Sequence, residues 1–430
     1  MADNLEELLK ELNVSSKPTE SLTRRRKFLF AGTHCHQTTG YSKVVYHIIQ
    51  ELAKYPSIEI YHFGFQKFVN PQGDYRPYPA GVHVFDPMGE ERAERAPKEM
   101  GFGFSIFQEY IDSVKPDVVL IYNDAGVICR YLDKMKLDTR AYKLYVYLDQ
   151  VYGIQRPEFL ERIEKAADGY FVFTKHWKSV LEQQGVQKPI HILRHGFDPT
   201  TYKQLDKLTI RKKHGIPEHS MIFLNLNRNT PRKHHDIAVM AFVQLIARHP
   251  TKALAYMAVC DGGESGGYPI QEIFLRELER ARLPPQLHAQ KLMITTSSLM
   301  FTDDLINEVY CLSDVGVSAA DGEGFGLCHF EAMGVGIPQV VPRIGGLQDF
   351  CHNGENSLTV EPKYRSYFAI SQSSVGGIAE LVDPFDLSLA MEEYVMDSEL
   401  RARHGVAARE TVLSYKWSSE VIVLANIIMS

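Results

Sequence analysis

The pattern that most restricts this chain is an alternation of short apolar runs with amphipathic stretches, which stops once and then starts again. From Lys27 onward, "KFLFAG", "IEIYHFGF", "GVHVFD", "DVVLIYND", "KLYVYLD", "GYFVFT" and "PIHILRHG" read as strands. Between them, "YSKVVYHIIQELAKY", "SIFQEYIDSVKP", "RPEFLERIEKAA" and "KHWKSVLEQQG" carry apolar residues at helical spacing. Buried strands separated by helices build a parallel sheet covered on both faces. The stretch from Phe197 to Ser220 is less apolar and breaks the rhythm. After it, "MIFLNLN", "KALAYMAVC", "KLMITT", "DVGVSA" and "IPQVVP" restart the strands, with "KHHDIAVMAFVQLIARHP" and "TDDLINEVYCLS" as helices. A chain of 430 residues exceeds one ordinary core, and two units of about 200 residues are expected from length alone. The expectation is therefore two doubly wound α/β domains, with ligands at the carboxyl ends of the strands and in the crevice between the domains.

The boundaries follow from the same pattern. Residues 1–23 form an N-terminal extension, a helical "NLEELLKEL" followed by a polar linker; 24–198 form the first domain, 199–220 the linker and 221–412 the second domain. Residues 413–430 are expected to be a C-terminal helix that packs back toward the first domain, after a break near Ser414–Trp417. A net charge of -6 gives no support to a nucleic-acid binder. The basic runs Arg24–Lys27 and Arg211–Lys213 read as solvated segment edges. Six cysteines without regular spacing argue for free thiols in a reducing, cytoplasmic compartment, and against a disulfide framework or zinc site. His34 and His36 flank Cys35, but no fourth ligand is evident, so no metal site is expected. There is no apolar leader and no run of about 18 apolar residues, so a membrane-bound substrate would be met from the membrane surface.

Two loops carry chemistry. In "DGEGFGLCHFEAMGVGIP", Asp321 to Pro338, a strand ends, the chain turns through Gly324 and Gly326, and a helix begins. Glycines there let backbone N–H groups approach a ligand, and a helix N-terminus suits a phosphate. Glu331, deeper in the helix, has the reach to accept hydrogen bonds from vicinal hydroxyls such as those of a ribose, and Glu323 is placed for a second polyol. The second loop, "LNLNRNTPRKHHD", clusters Arg228, Arg232 and Lys233 between a strand and a helix, where a guanidinium and an ammonium can hold an anion. A carboxylate pair also suits a glycosidase, but such an enzyme needs neither a phosphate-shaped turn nor the cationic loop. "TDD", Thr302 to Asp304, reads as a helix N-cap with dipole-favoured acids.

These stretches resemble the retaining glycosyltransferases of family 4, which have the GT-B architecture of two Rossmann-like domains facing a central crevice. "EGFGLCHFEAMGVGIPQVV" is similar to the family's E-x7-E segment, with Glu323 and Glu331 as its acids, and "NRNTPRKHHDIAVMAF" resembles the loop that holds the donor diphosphate, on which Arg228 and Lys233 fall. Over the first half, "TTGYSKVVYHI" looks like the family's glycine-containing loop and "ILRHGFDPTTY" like the turn into the linker.

The resemblance implies transfer of a hexose from a nucleoside diphosphate sugar, of the GDP-mannose or UDP-glucose type, to a hydroxyl acceptor, with retained configuration and no required cofactor or metal. It gives Arg228, Lys233 and the N–H groups of Gly324, Phe325, Gly326 and Leu327 to the diphosphate, Glu323 to the sugar and Glu331 to the ribose. Asp149, at the end of "LYVYLD", falls where the family places a polar residue near the acceptor hydroxyl, and Gly40 and Tyr41 are expected to line the crevice. Donor binding without turnover, and a hydrolase or epimerase on the same frame, are the competing readings. The segment Pro362–Pro384 is longer than the family's usual connection, and "CDGGESGGYP", Cys260 to Pro269, is placed to approach the nucleotide base.

Overall fold

The computed structural model describes residues 24–68, 76–90, 99–260, 267–295, 301–367 and 376–430. The extension expected over residues 1–23 and the centre of the glycine-rich loop, residues 261–266, lie outside them.

Seven strands form the first sheet: β1 (Arg26–Thr33), β2 (Ile58–Phe65), β3 (His83–Phe85), β4 (Val118–Asn123), β5 (Lys143–Leu148), β6 (Gly169–Val172) and β7 (Ile190–Ile192). Six form the second: β8 (Met221–Asn225), β9 (Leu254–Val259), β10 (Leu292–Thr295), β11 (Val315–Val317), β12 (Gln339–Pro342) and β13 (Ser357–Val360). Their orders are β3-β2-β1-β4-β5-β6-β7 and β10-β9-β8-β11-β12-β13, and every pairing within them is parallel. Central strands such as β4 and β9 are buried along their whole length, which is why they read as unbroken apolar runs. In each sheet the strand order reverses beside the first strand, between β1 and β4 and between β8 and β11, and a ligand crevice opens at the carboxyl ends there.

The linker is not plain coil. Asp206 caps a helix, Lys207–Lys213, by accepting from the Thr209 amide at 2.8 Å, and basic residues fill its last turn, where the helix dipole favours them. This corrects the reading of Arg211–Lys213 as a solvated edge at Arg211, while Lys212 and Lys213 are exposed. Arg211 is 3% exposed and donates to Asp314 at 2.6 Å and to the Leu312 carbonyl at 2.8 Å. The long segment after β13 forms an antiparallel hairpin, β14 (Tyr364–Tyr367) with β15 (Ile378–Leu381). Its residues 368–375 are outside the described set.

The C-terminal tail breaks after Leu413 into short helices, Trp417–Glu420 and Ile422–Met429, which return to the first domain. Trp417 stacks on His47 with ring centroids 5.0 Å apart, and the Phe197 amide donates to the Tyr415 carbonyl at 2.7 Å. Among the described residues, no helix is long and apolar enough to cross a membrane.

Candidate active site at the interdomain crevice

The strands β8 and β11 are neighbours, so the loops leaving their carboxyl ends must meet. The Asp321 amide donates to the Arg232 carbonyl at 3.0 Å and ties the two loops together. Lys233 donates to Glu323 Oε1 in a short ion pair, and Arg232 Nη1 lies 3.4 Å from Glu323 Oε2 and donates to the Gly322 carbonyl. Lys233 is 6% exposed and Glu323 4%. Burial alone would push the Glu323 carboxyl up, but Lys233 and then Arg232 overcome it and hold it at about 2. Arg228, expected to share the anion with Lys233, sits earlier in the loop with an exposed side chain; the second cation on Glu323 is Arg232. His234 closes the loop in a left-handed conformation (φ 43°) and reaches Asp321 at 3.1 Å, and Tyr152 of the first domain donates to the same carboxylate at 2.9 Å.

The turn after Glu323 is shaped by its glycines. Gly326 has φ +95°, a conformation costly for side chains, and it opens the helix Leu327–Gly334 with no side-chain cap. The first-turn N–H groups of that helix therefore have no side-chain acceptor of its own. A Cβ on Gly324 would strike Asp149 Oδ1, so the two domains touch here at a separation only glycine permits. Trp177 of the first domain donates its indole N–H to the Gly324 carbonyl at 2.6 Å. Phe325 contributes backbone only, since its ring packs against His195, Phe330 and Phe350. Leu327 faces Gly40 across the crevice, with its Cδ1 3.1 Å from where a Gly40 Cβ would stand.

Asp149 follows β5 beneath this turn and is half-buried, with Tyr41 donating a short hydrogen bond to its Oδ2. Its Oδ1 has no hydrogen-bond partner among the described residues. Burial pushes the carboxyl up to about 6, against the Tyr41 hydrogen bond and Arg232 and with Asp124 and Glu323 adding to the rise. Glu331 is also buried: Lys43 Nζ donates to its Oε1 at 2.5 Å and the Tyr310 hydroxyl to its Oε2 at 3.0 Å. Burial raises its pKa, and Lys43 opposes the rise.

The crevice therefore brings together Glu323, Glu331, Lys233, Asp149, Gly40, Tyr41 and the turn Gly324–Leu327, and adds residues that the sequence reading left out. Lys43, Trp177, Tyr152 and Tyr310 all touch a predicted site residue or its loop, and only Lys43 carried a local signal, as a cation in the first turn of a helix. Thr302 caps its helix as expected, accepting from the Leu305 amide at 3.3 Å. Asp303 does more than interact with the helix dipole, because Arg76 of the first domain binds it through Nη2 to both oxygens at 3.0 Å. His34 packs edge-on to His36 and Tyr78. Among the described residues, no group of three or more His, Cys, Asp or Glu side chains is placed to hold a metal ion.

Residues 206–372 match the model of the family "Glycosyl transferases group 1". D-inositol 3-phosphate glycosyltransferase of Acidothermus cellulolyticus is 27% identical over 195 residues, 45% of this chain and 41% of that protein. N-acetyl-alpha-D-glucosaminyl L-malate synthase of Bacillus anthracis is 24% identical over 236 residues, 55% and 52% of the two chains. The chain thus spans between about two fifths and one half of these curated relatives. Among solved structures, sucrose-phosphate synthase from Thermosynechococcus elongatus superposes with a TM-score of 0.70 at 15% identity, over 94% of this chain and 98% of that one. Anabaena HepE in complex with UDP and glucose gives 0.67 at 14%, over 94% and 99%. The frame these structures share with the chain is the GT-B fold.

Proposed function

We propose, for a chain with the GT-B fold whose residues 206–372 match the group 1 glycosyl transferases, a retaining hexosyl transfer from a nucleoside diphosphate sugar to a hydroxyl acceptor, without an obligatory metal. The donor would be of the GDP-mannose or UDP-glucose type. The observation that carries this reading is the convergence of Lys233 and Arg232 on Glu323, beside the open first turn of the helix Leu327–Gly334. Departure of a nucleoside diphosphate builds negative charge, and a buried ammonium, a guanidinium and directed N–H groups are what that charge needs.

In this reading the acceptor oxygen attacks the anomeric carbon and the bond from that carbon to the phosphate oxygen breaks. The acceptor proton passes to the departing phosphate on the same face. Glu323 orients sugar hydroxyls, Glu331 accepts from the ribose, and Asp149 with Tyr41 holds the acceptor hydroxyl. Arg228, exposed at the mouth of the loop, meets the distal phosphate. Two relatives of this chain are named for transfer to small hydroxyl compounds, which favours an acceptor of that class. The six cysteines are free thiols, in keeping with work in the cytoplasm.

A panel of nucleotide sugars screened by thermal shift tests this, since a ligand of the native state raises the melting temperature. The expected result is stabilisation by one nucleoside diphosphate family, lost in Glu331→Ala, and NMR detection of a product with the donor's anomeric configuration. Binding without product from any acceptor, release of free sugar as the sole product, or inversion would each overturn the proposal.

A further inference from the structure

We propose that Lys43, a residue of the acceptor-side domain, is a positioning residue for the donor: it holds the Glu331 carboxylate ready to accept a vicinal diol. This rests on the reading of Glu331 as the ribose acid. Lys43 lies in the first turn of the helix Gly40–Leu52, where the helix dipole disfavours a cation. Its stem crosses the crevice to the second domain. There Nζ donates to Glu331 Oε1 and to the Tyr202 hydroxyl, each at 2.5 Å, and stands 3.5 Å from Asp303 Oδ1. Tyr202 belongs to the linker and itself donates to Asp303 at 3.2 Å. A local preference overridden to place a half-buried ammonium, its side chain 12% exposed, on a buried acid marks a position chosen for the site rather than for the helix.

The geometry of the carboxylate explains what this does. A carboxylate offers about four acceptor positions on its two oxygens. Lys43 takes one on Oε1 and Tyr310 one on Oε2, so each oxygen keeps one for a hydroxyl, the pattern that two adjacent ribose hydroxyls present. Only an ionised acid accepts from both. Facing Glu331 are Lys43 from the first domain, and Tyr310 and Asp303 from the helix beneath, with Arg76 and Tyr202 bound to Asp303 behind them. Lys43 is the cation in direct contact, and it opposes a burial that favours the neutral acid. Because it arrives from the other domain, the diol site is complete only when the domains stand as they do here.

The test uses Lys43→Met, with calorimetric titration of UDP and GDP and of their 2′,3′-dideoxy counterparts. For whichever base binds the wild type, Lys43→Met should weaken the diphosphate with the intact diol about tenfold, equivalent to about 1.4 kcal/mol. Binding of the dideoxy form should change less than about twofold. In the variant alone, preference for the diol should return as pH rises and Glu331 ionises. Equal weakening of both nucleotides, no change in either, or tighter binding would overturn the proposal, the last by showing that Lys43 blocks the site. Glu331→Gln separates the underlying reading: if it leaves discrimination between diol and dideoxy intact, or if the wild type does not discriminate, the ribose assignment of Glu331 fails on its own.

Discussion

Glu323 and Lys233 form an almost dry ion pair, 4% and 6% exposed, with Arg232 beside them. Glu323→Gln keeps the shape and removes the charge, leaving an ammonium and a guanidinium to face each other away from water. Removing one partner of a buried pair costs about 3–5 kcal/mol. For a domain of 150–250 residues each kcal/mol shifts the melting temperature by about 2–4 °C, so a fall of roughly 6–20 °C is expected. A diphosphate brings back the missing negative charge. UDP or GDP should therefore raise the melting temperature of Glu323→Gln by more than it raises that of the wild type. Lys233→Met should gain least, because it has lost the cation that the anion seeks. Circular dichroism melts at pH 7.5, with and without nucleotide, read this directly. A fall of under about 2 °C in Glu323→Gln would show a pair too well solvated to matter. Equal nucleotide shifts in wild type and both variants would show that diphosphate does not bind at this pair. Either result removes the support for charge-stabilised departure.

Three further outcomes follow from the same contacts. Asp149, pushed up by burial to about 6, is ionised above that value; transfer should rise with pH through about 6, and Asp149→Asn should lose that limb and about a hundredfold in rate, read from pH–rate profiles. Burial holds His195 at about 3 and His47 at about 4, both neutral when folded. The unfolded chain takes up those protons first, so stability is full above about pH 6.5 and is lost as pH falls toward about 3; His195→Phe should make melts across that window less steep. Gly324→Ala puts a methyl group against Asp149, an overpacking cost of about 1–3 kcal/mol; small-angle scattering should show a more extended chain, and transfer should fall while UDP or GDP still binds the second domain.

What the sequence made legible was whatever topology enforces within one domain. Once β8 and β11 are read as parallel strands on either side of a reversal, Lys233 and Glu323 must approach, although 90 positions separate them. The helix Ile270–Arg280 is legible too, since Ile270, Phe274 and Leu278 recur every fourth residue and are its buried face. Contacts between the domains are different. Nothing in local pattern links Arg76 to Asp303, or Trp177 to Gly324, because each side chain has an ordinary reading in its own element and the pairing depends on how two rigid bodies meet. Arg232 shows a limit within one domain: nothing in the loop's pattern marks it as the residue that geometry sets on Glu323.

The source of the counter-charge separates the tasks of Glu323, Asp149 and Glu331. Glu323 has its cations from its own domain, so its ionised state does not depend on where the other domain stands. Asp149 has a neutral tyrosine, also from its own domain, and burial keeps its pKa near the working range. Glu331 borrows its cation from across the crevice, as Asp303 does from Arg76. Separating the domains should therefore leave the Glu323–Lys233 coupling intact and abolish the Glu331–Lys43 coupling. Double-mutant cycles in the Gly324→Ala background measure both. A Glu323–Lys233 coupling energy that collapses together with that of Glu331–Lys43 would mean that the diphosphate half of the site is also built by closure, and the division of labour argued from these contacts would not hold.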